Sequence, residues 1–95
     1  MIVGTLKFRL HLRDCHSLKE KRRVIKSLKD QLSNKFNISV AEVDEQDEWQ
    51  FAELGIAAVG TDTPFVHSVL STVEGFVRFF GGVTVIDAQT ETFGD

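Results

Sequence analysis

The chain has 95 residues, of which 42% are hydrophobic and 26% are charged, and its formal net charge is −3. This length and composition predict one globular domain over residues 1–95, and they exclude a disordered or membrane-spanning chain, because no apolar run approaches the roughly 18–20 residues of a transmembrane helix. The single cysteine excludes a disulfide-stapled secreted scaffold, so we expect a cytoplasmic protein.

The first half of the chain predicts a strand, a helix and a second strand. Residues 2–13 alternate apolar and polar side chains, which is the pattern of a strand with one buried face. Ser17 and Glu20 form a capping box that begins a helix with one apolar stripe, ending near Lys35. Residues 38–44 are rich in β-branched side chains and precede an acidic connection, which predicts a short second strand.

The second half predicts a strand, a helix and a last strand. Residues 49–59 are hydrophobic enough for a central strand that forms a hairpin with the preceding one. Thr63 is the predicted N-cap of the second helix, with Pro64 at its first position. Residues 83–88 predict the last strand, and we expect residues 89–95 to be a flexible tail.

This order of elements predicts the ferredoxin-like βαββαβ fold of the α+β class, a four-stranded antiparallel sheet with two helices on one face. The opposite face of the sheet is then open to solvent. Alternation along the first and third strands places six candidate interface residues on this open face: Lys7, Arg9, His11, Trp49, Phe51 and Glu53.

The small net charge conceals a strong asymmetry along the chain. Residues 1–35 hold ten basic and three acidic side chains, a net charge of +7, whereas residues 36–95 hold one basic and eleven acidic side chains, a net charge of −10. Such asymmetry points to an anionic partner or to self-association. The first helix supplies the candidate nucleic-acid-binding residues, which are Lys19, Lys21, Arg22, Arg23 and Lys26, and Lys29 belongs to the same basic set.

Residue types that bind metals or perform catalysis lack the spacing that such sites need. His11, Cys15, His16 and His67 are the only imidazole and thiolate side chains, and no C-x-x-C or H-x-x-x-H spacing joins them. Cys15 precedes the first helix, where the helix dipole and nearby Arg13 would favour a thiolate, but no aligned base accompanies it. We therefore predict a protein that is not an enzyme, with no catalytic residue, no metal and no cofactor.

Two motifs resemble one bacterial family. They are Ser-Leu-Lys-Glu-Lys-Arg-Arg-Val at 17–24 and Phe-Asn-Ile-Ser-Val-Ala-Glu-Val at 36–43, and Gln46-Asp47, Trp49-Gln50 and Leu-Gly-Ile-Ala at 54–57 follow them. Over about residues 1–80 the sequence is similar to the YlxP-like family, small bacterial proteins built on a domain of unknown function. The resemblance implies a ferredoxin-like fold. It also implies an association with translation, because the genes of the family often lie beside translation genes, and it supplies no catalytic residue.

These observations leave three hypotheses. The first is a non-enzymatic binding module that contacts RNA or the ribosome through its basic helix. The alternative is a homo-oligomeric interaction scaffold that pairs through the open sheet face, where Trp49 and Phe51 would be covered. The third is an enzyme that acts on an anionic substrate through Arg9, His11 and Glu53.

Overall fold

The computed structural model describes residues 1–44 and 47–94, and over these residues four strands and two helices follow one another. Their order is β1 (Ile2–Leu12), α1 (Leu18–Lys35), β2 (Ser39–Asp44), β3 (Phe51–Gly60), α2 (Thr63–Arg78) and β4 (Val83–Gly94). The strands form one sheet in the order β2-β3-β1-β4, and every neighbouring pair is antiparallel. The predicted ferredoxin-like α+β fold is confirmed.

The core lies between one face of the sheet and the two helices. Alternate residues of β1 and β3 are buried, and so is one stripe of each helix, as period-two and period-3.6 patterns require. Gly4 permits the close approach of α2 to β1, because a Cβ at this position would collide with the side chains of Val66 and Leu70. In β1, the residue beneath α2 is thus the glycine, which has no side chain.

Helix α1 begins as its sequence predicts. The Ser17 hydroxyl accepts a hydrogen bond from the Glu20 N–H at 3.1 Å, and the Glu20 carboxylate accepts one from the His16 N–H at 2.6 Å. The carboxylate therefore satisfies the N–H one residue before the cap, a variant of the capping box. The helix ends at Lys35, also as predicted.

Helix α2 has a different N-cap from the predicted one. The carboxylate of Asp62 accepts a hydrogen bond from the Phe65 N–H at 2.8 Å, and Thr63 is already the first helical residue. The prediction of Thr63 as the cap is wrong by one position. Aspartate is at least as good a cap as threonine, and Pro64 fits the second position of the helix because its missing N–H has no partner within the first turn.

Strand β4 is twice as long as predicted. Residues 89–94 pair with the first half of β1, from Gln89 opposite Lys7 to Gly94 opposite Ile2. These residues are strand and not the flexible tail that the sequence analysis expected, while Asp95 lies outside the described residues. The eleven-residue β1 needs a partner on the side away from β3, and the Thr-rich segment at 90–92 has the side chains that favour a strand.

Candidate nucleic-acid interface

A groove between α1 and β2 brings together the basic side chains of the first helix. Its volume is about 410 Å³, and it is lined by Arg22, Ile25, Lys26, Lys29, Asp30 and Glu42. Arg22, Lys26 and Lys29 are spaced by four and three residues, so they lie along one side of the helix. The groove is therefore rich in cations along its helical wall.

Two further cations flank this groove on the solvent side of α1. Lys19 and Arg23 are both exposed. Lys26 is held by an ion pair with Asp30, with 2.6 Å between Nζ and a carboxylate oxygen, but the two side chains remain 75% and 58% exposed. An exposed i,i+4 pair of this kind is weak, so a phosphate can replace the carboxylate. We call Lys19, Arg22, Arg23, Lys26 and Lys29 the basic face.

Lys21 does not belong to the basic face. Its side chain is 1% exposed, its Nζ lies 3.0 Å from a carboxylate oxygen of Glu42, and it donates a hydrogen bond to the Glu48 carbonyl at 2.5 Å. The predicted position of Lys21 among the phosphate-binding residues is wrong, because an ammonium enclosed between α1 and the β2–β3 hairpin is out of reach of RNA.

The buried Lys21 still affects the electrostatics of the groove. Glu42, whose side chain is 18% exposed, lines the groove and would oppose an anion there. The ammonium of Lys21 neutralises this carboxylate from the core side. Because the Lys26–Asp30 pair is also neutral overall, Arg22 and Lys29 determine the sign of the charge in the groove.

Five of the six predicted open-face residues lie on the open face of the sheet. Arg9 is opposite Glu53 and His11 is opposite Phe51 in the register of β1 and β3. The guanidinium carbon of Arg9 lies 4.6 Å from the centroid of the Phe51 ring, and the His11 ring lies 5.2 Å from it. Lys7 lies two residues before Arg9 on the same face of β1 and is exposed. The Phe51 ring is thus already in contact with two β1 side chains.

Trp49 is not on the open face, contrary to the prediction. It lies in a bend before β3, is half-buried, and packs against the core, with its ring 6.2 Å from that of His16. Two residues share a strand face only where both are extended, and β3 begins at Phe51. The aromatic pair expected on the open face is therefore a single phenylalanine.

The open face carries a shallow apolar hollow away from this ring. Its volume is about 490 Å³, and residues of all four strands line it, among them the small residues Ala41 on β2 and Gly55 and Ala57 on β3. Lys7 and Glu91 lie at its margin. This hollow is not lined by Arg9, His11 or Glu53, the three residues of the enzyme hypothesis.

The environment of Cys15 disfavours a thiolate. The residue is 5% exposed, and burial raises the pKa of its thiol above the ordinary 9.0, with a further increase from Glu20 and Asp14 that Lys21 partly opposes. The effect of the helix dipole expected from the sequence is thus outweighed. Over residues 1–44 and 47–94, no three His, Cys, Asp or Glu side chains are grouped closely enough to hold a metal ion.

One surface was missed by the sequence analysis. Phe36, Phe76, Phe79 and Phe80 surround a groove of about 590 Å³ between the C-terminal ends of the two helices. The signal was the Phe79-Phe80 doublet before Gly81, because adjacent residues at a helix end cannot both face the core. Gln46, which is part of the family motif, lies outside the described residues.

Within the part of the chain that the structure describes, no helix is both long and apolar enough to cross a membrane.

Comparison with known proteins relates the sequence to one family and the fold to two designed proteins. The family described as "Protein of unknown function (DUF503)" matches residues 3–90. "Uncharacterized protein YlxP" of Bacillus subtilis (strain 168) is 35% identical over 92 residues, which cover 97% of this chain and 100% of the relative.

Two solved structures of designed proteins have a similar fold. "De novo designed protein Foldit4" has a TM-score of 0.55 at 10% identity, covering 100% of this chain and 99% of its own. "De novo designed protein Ferredog-Diesel" has a TM-score of 0.50 at 13% identity, covering 94% and 83%. At such low identity the similarity concerns the fold alone.

Proposed function

Since the chain belongs to the DUF503 family of proteins of unknown function, we propose from its basic face that it is a small non-enzymatic cytoplasmic module that binds RNA, free or within the ribosome. The observation that carries the proposal is the alignment of Arg22, Lys26 and Lys29 along one groove, with the carboxylate of Glu42 neutralised by Lys21. This arrangement concentrates positive charge in a chain whose net charge is negative.

The geometry of the basic face suits contact with a phosphate backbone. Arg22 and Lys29 are seven residues apart, which is about 10 Å along a helix axis, so the face can span several phosphates. Lys and Arg contacts of this kind release counterions and depend little on base sequence. We therefore propose that charge supplies the affinity and that the shape of the RNA, not its base sequence, supplies the specificity.

Fluorescence anisotropy of a labelled structured RNA tests the proposal. If three or four phosphates are contacted, the affinity should fall on the order of 10- to 100-fold between about 50 mM and about 200 mM salt. Arg22→Glu should weaken binding at low salt by at least about tenfold, because it replaces an attraction in the groove by a repulsion.

Lys7→Glu is the matched control. It changes the net charge by the same two units, but Lys7 lies on the open sheet face and not in the groove. It should leave the affinity within about twofold of the unmodified protein if the groove is the site. Absence of binding at low salt, or equal losses in the two variants, would refute binding at the basic face.

A further inference from the structure

The groove between α1 and β2 contains one exposed acidic side chain, Asp30, among its cations. Residues 22, 26 and 30 follow one another at intervals of four on the helix, so the carboxylate lies in line with Arg22 and Lys26. The Asp30 side chain is 58% exposed, and the ammonium of Lys26 contacts one of its two oxygens, Oδ2, at 2.6 Å. The exposed carboxylate is therefore available as a hydrogen-bond acceptor for a ligand in the groove.

The stability of α1 does not explain an aspartate at this position. In an i,i+4 ion pair the acid is better placed before the cation, whereas here Lys26 precedes Asp30. Aspartate also has a low helix propensity. On α2, by contrast, the pair of Glu74 and Arg78 has the favourable order. Asp30 is thus better explained by what it can contact in the groove than by stabilisation of the helix.

An ionised carboxylate in a phosphate-binding groove can pair with only one group of a nucleic-acid backbone. A carboxylate accepts hydrogen bonds and donates none. Phosphate oxygens and the ring oxygen of the sugar are acceptors too, so they cannot pair with it. The 2′-hydroxyl of ribose is a donor, and DNA lacks it. The chemistry of Asp30 therefore matches RNA.

The contact between Lys26 and Asp30 also matches the arrangement of the two backbone groups. In RNA the 2′-hydroxyl and the 3′-phosphate are carried by adjacent carbon atoms of one ribose. A cation and an acceptor that engage both groups must therefore be neighbours, and the Lys26 Nζ lies 2.6 Å from the Asp30 carboxylate. This exposed pair is weak, so a phosphate can take the place of the carboxylate at Lys26 while Asp30 stays beside it.

We propose that Asp30 accepts a hydrogen bond from the ribose 2′-hydroxyl next to the phosphate that Lys26 binds, and that the groove thereby selects RNA over DNA. This assignment rests on the proposed function and names the feature of the nucleic acid that the groove recognises. With DNA the carboxylate would lie against the phosphate backbone with no donor to accept from. The same residue thus favours one ligand and disfavours the other.

Glu42, the other carboxylate of the groove, is not placed for this role. Its side chain is only 18% exposed, and its oxygen lies 3.0 Å from the Lys21 ammonium, which neutralises it from the core side. Asp30 is therefore the exposed acceptor of the groove. A substitution there tests the proposal without disturbing the core.

The lining of the groove favours double-stranded RNA. Among the described residues that line it none is aromatic, so unpaired bases would find no ring on which to stack. The aromatic groove between the C-terminal ends of the two helices is separate, and α1 contributes Gln31 and Lys35 to it. In an A-form duplex the wide, shallow minor groove displays the 2′-hydroxyls. A helix that carries cations and one acceptor can contact both the phosphates and the hydroxyls there.

Fluorescence anisotropy with three labelled duplexes of one sequence tests the proposal at about 50 mM salt. The duplexes are RNA, DNA, and 2′-fluoro RNA, which keeps the A-form helix but has no 2′ donor. The unmodified protein should bind RNA at least about fivefold more tightly than either of the others, because they lack the hydrogen bond to the carboxylate. Equal affinities for RNA and 2′-fluoro RNA would overturn the proposal.

Two substitutions separate the hydrogen bond from the charge of Asp30. Asp30→Ala removes the acceptor, so the affinities for RNA and 2′-fluoro RNA should come within about twofold of each other. Asp30→Asn removes the charge but keeps an acceptor oxygen, so all affinities should rise while the preference for RNA persists. If Asp30 acted through its charge alone, Asp30→Ala would keep the preference of the unmodified protein, and that result would overturn the proposal.

Glu74→Ala is the matched control. Like Asp30→Ala it removes one negative charge and an exposed i,i+4 ion pair, but Glu74 lies on α2, whereas α1 and β2 line the groove. It should keep the preference of the unmodified protein, and circular dichroism verifies that each variant is folded. A loss of preference equal to that of Asp30→Ala would overturn the proposal.

Failure of the proposed function gives a different result from failure of this assignment. If the chain does not bind RNA, none of the duplexes and no structured RNA binds at low salt. If RNA and DNA bind equally and Arg22→Glu weakens both, the groove binds nucleic acid and Asp30 does not select the sugar.

Discussion

The ammonium of Lys21 lies 3.0 Å from a carboxylate oxygen of Glu42, and this contact joins the first turn of α1 to the second strand. The same ammonium donates to the Glu48 carbonyl, so one side chain connects the helix both to β2 and to the segment between β2 and β3. Two of the positions involved, Lys21 and Glu42, fall within the motifs that identify the family. These motif positions therefore have a structural explanation that needs no ligand.

Replacement of Lys21 should destabilise the protein strongly. Lys21→Met keeps most of the apolar stem but removes the ammonium from a carboxylate that is only 18% exposed. We expect the free energy of unfolding to fall by about 2–4 kcal/mol, because a buried charge loses its counter-charge. Urea denaturation monitored by circular dichroism measures this change.

The exposed pair of Lys26 and Asp30 provides the comparison. Lys26→Met should change stability by less than about 0.5 kcal/mol, because that pair is solvated. Lys21→Met combined with Glu42→Met should recover much of the loss, since a buried pair can be replaced by apolar side chains of similar volume. Equal effects of Lys21→Met and Lys26→Met would contradict the buried location of Lys21.

The N-cap of α2 can be assigned by two alanine variants. Asp62→Ala should lower the free energy of unfolding by about 1 kcal/mol, because the Phe65 N–H loses its acceptor. Thr63→Ala should change it by less than about 0.5 kcal/mol, because this side chain is not the cap. Thermal denaturation of the two variants gives the comparison, and the reverse order would restore Thr63 as the cap.

Deletion of residues 89–95 should severely destabilise the fold. The deletion leaves the first half of β1 without its partner on one side, where each lost ladder hydrogen bond contributes about 0.5–1.5 kcal/mol. We expect a total loss of at least about 3 kcal/mol, measured by urea denaturation. Hydrogen exchange should locate the loss of protection in β1 residues 3–7. A truncated protein as stable as the full chain would mean that the segment is a dispensable tail.

The thiol of Cys15 should react slowly near neutral pH. Burial raises its pKa, so the folded protein holds less thiolate at pH 7 than an exposed cysteine would. Alkylation by iodoacetamide should be at least about tenfold slower than in the urea-unfolded chain, with the rate rising as the pH exceeds the ordinary thiol pKa of 9.0. Comparable rates in the folded and unfolded chains would contradict the burial of the thiol.

The same raised pKa has a consequence for stability. Above the ordinary thiol pKa the unfolded chain loses this proton before the folded one does, so the free energy of unfolding falls as the pH rises. Cys15→Ala should remove that part of the alkaline decrease, which pH-dependent urea denaturation can measure. An unchanged alkaline decrease in the variant would assign it to other groups.

Local patterns predicted the elements of this fold well, and the failures occurred where a tertiary contact decides. Lys21 is within about 20° of Leu28 and Leu32 on the helical wheel, so its burial was visible in the spacing. Its partner could not be predicted from the spacing, because Glu42 is 21 positions further along the chain. Likewise, the position of Trp49 depends on the residue at which β3 begins, and the apolar pattern of residues 49–59 does not determine that residue.

The candidate site was predictable to the extent that it depends on one helix. The basic face follows from the spacing of Arg22, Lys26 and Lys29 in a single element. The aromatic groove needs the ends of two helices to meet, which brings Phe36 beside residues 40 or more positions away. Sequence periodicity contains no information about that distance.

The long pairing of β4 with β1 has a consequence for solubility. β4 is an edge strand of twelve residues, and its outer backbone groups form a template on which another extended chain could polymerise. Two features oppose this: a bulge where Arg9 pairs with Asp87 and Leu10 with Val85, and the exposed carboxylates of Asp87 and Glu91. Part of the negative charge in the second half of the chain thus protects against amyloid-like aggregation at this edge.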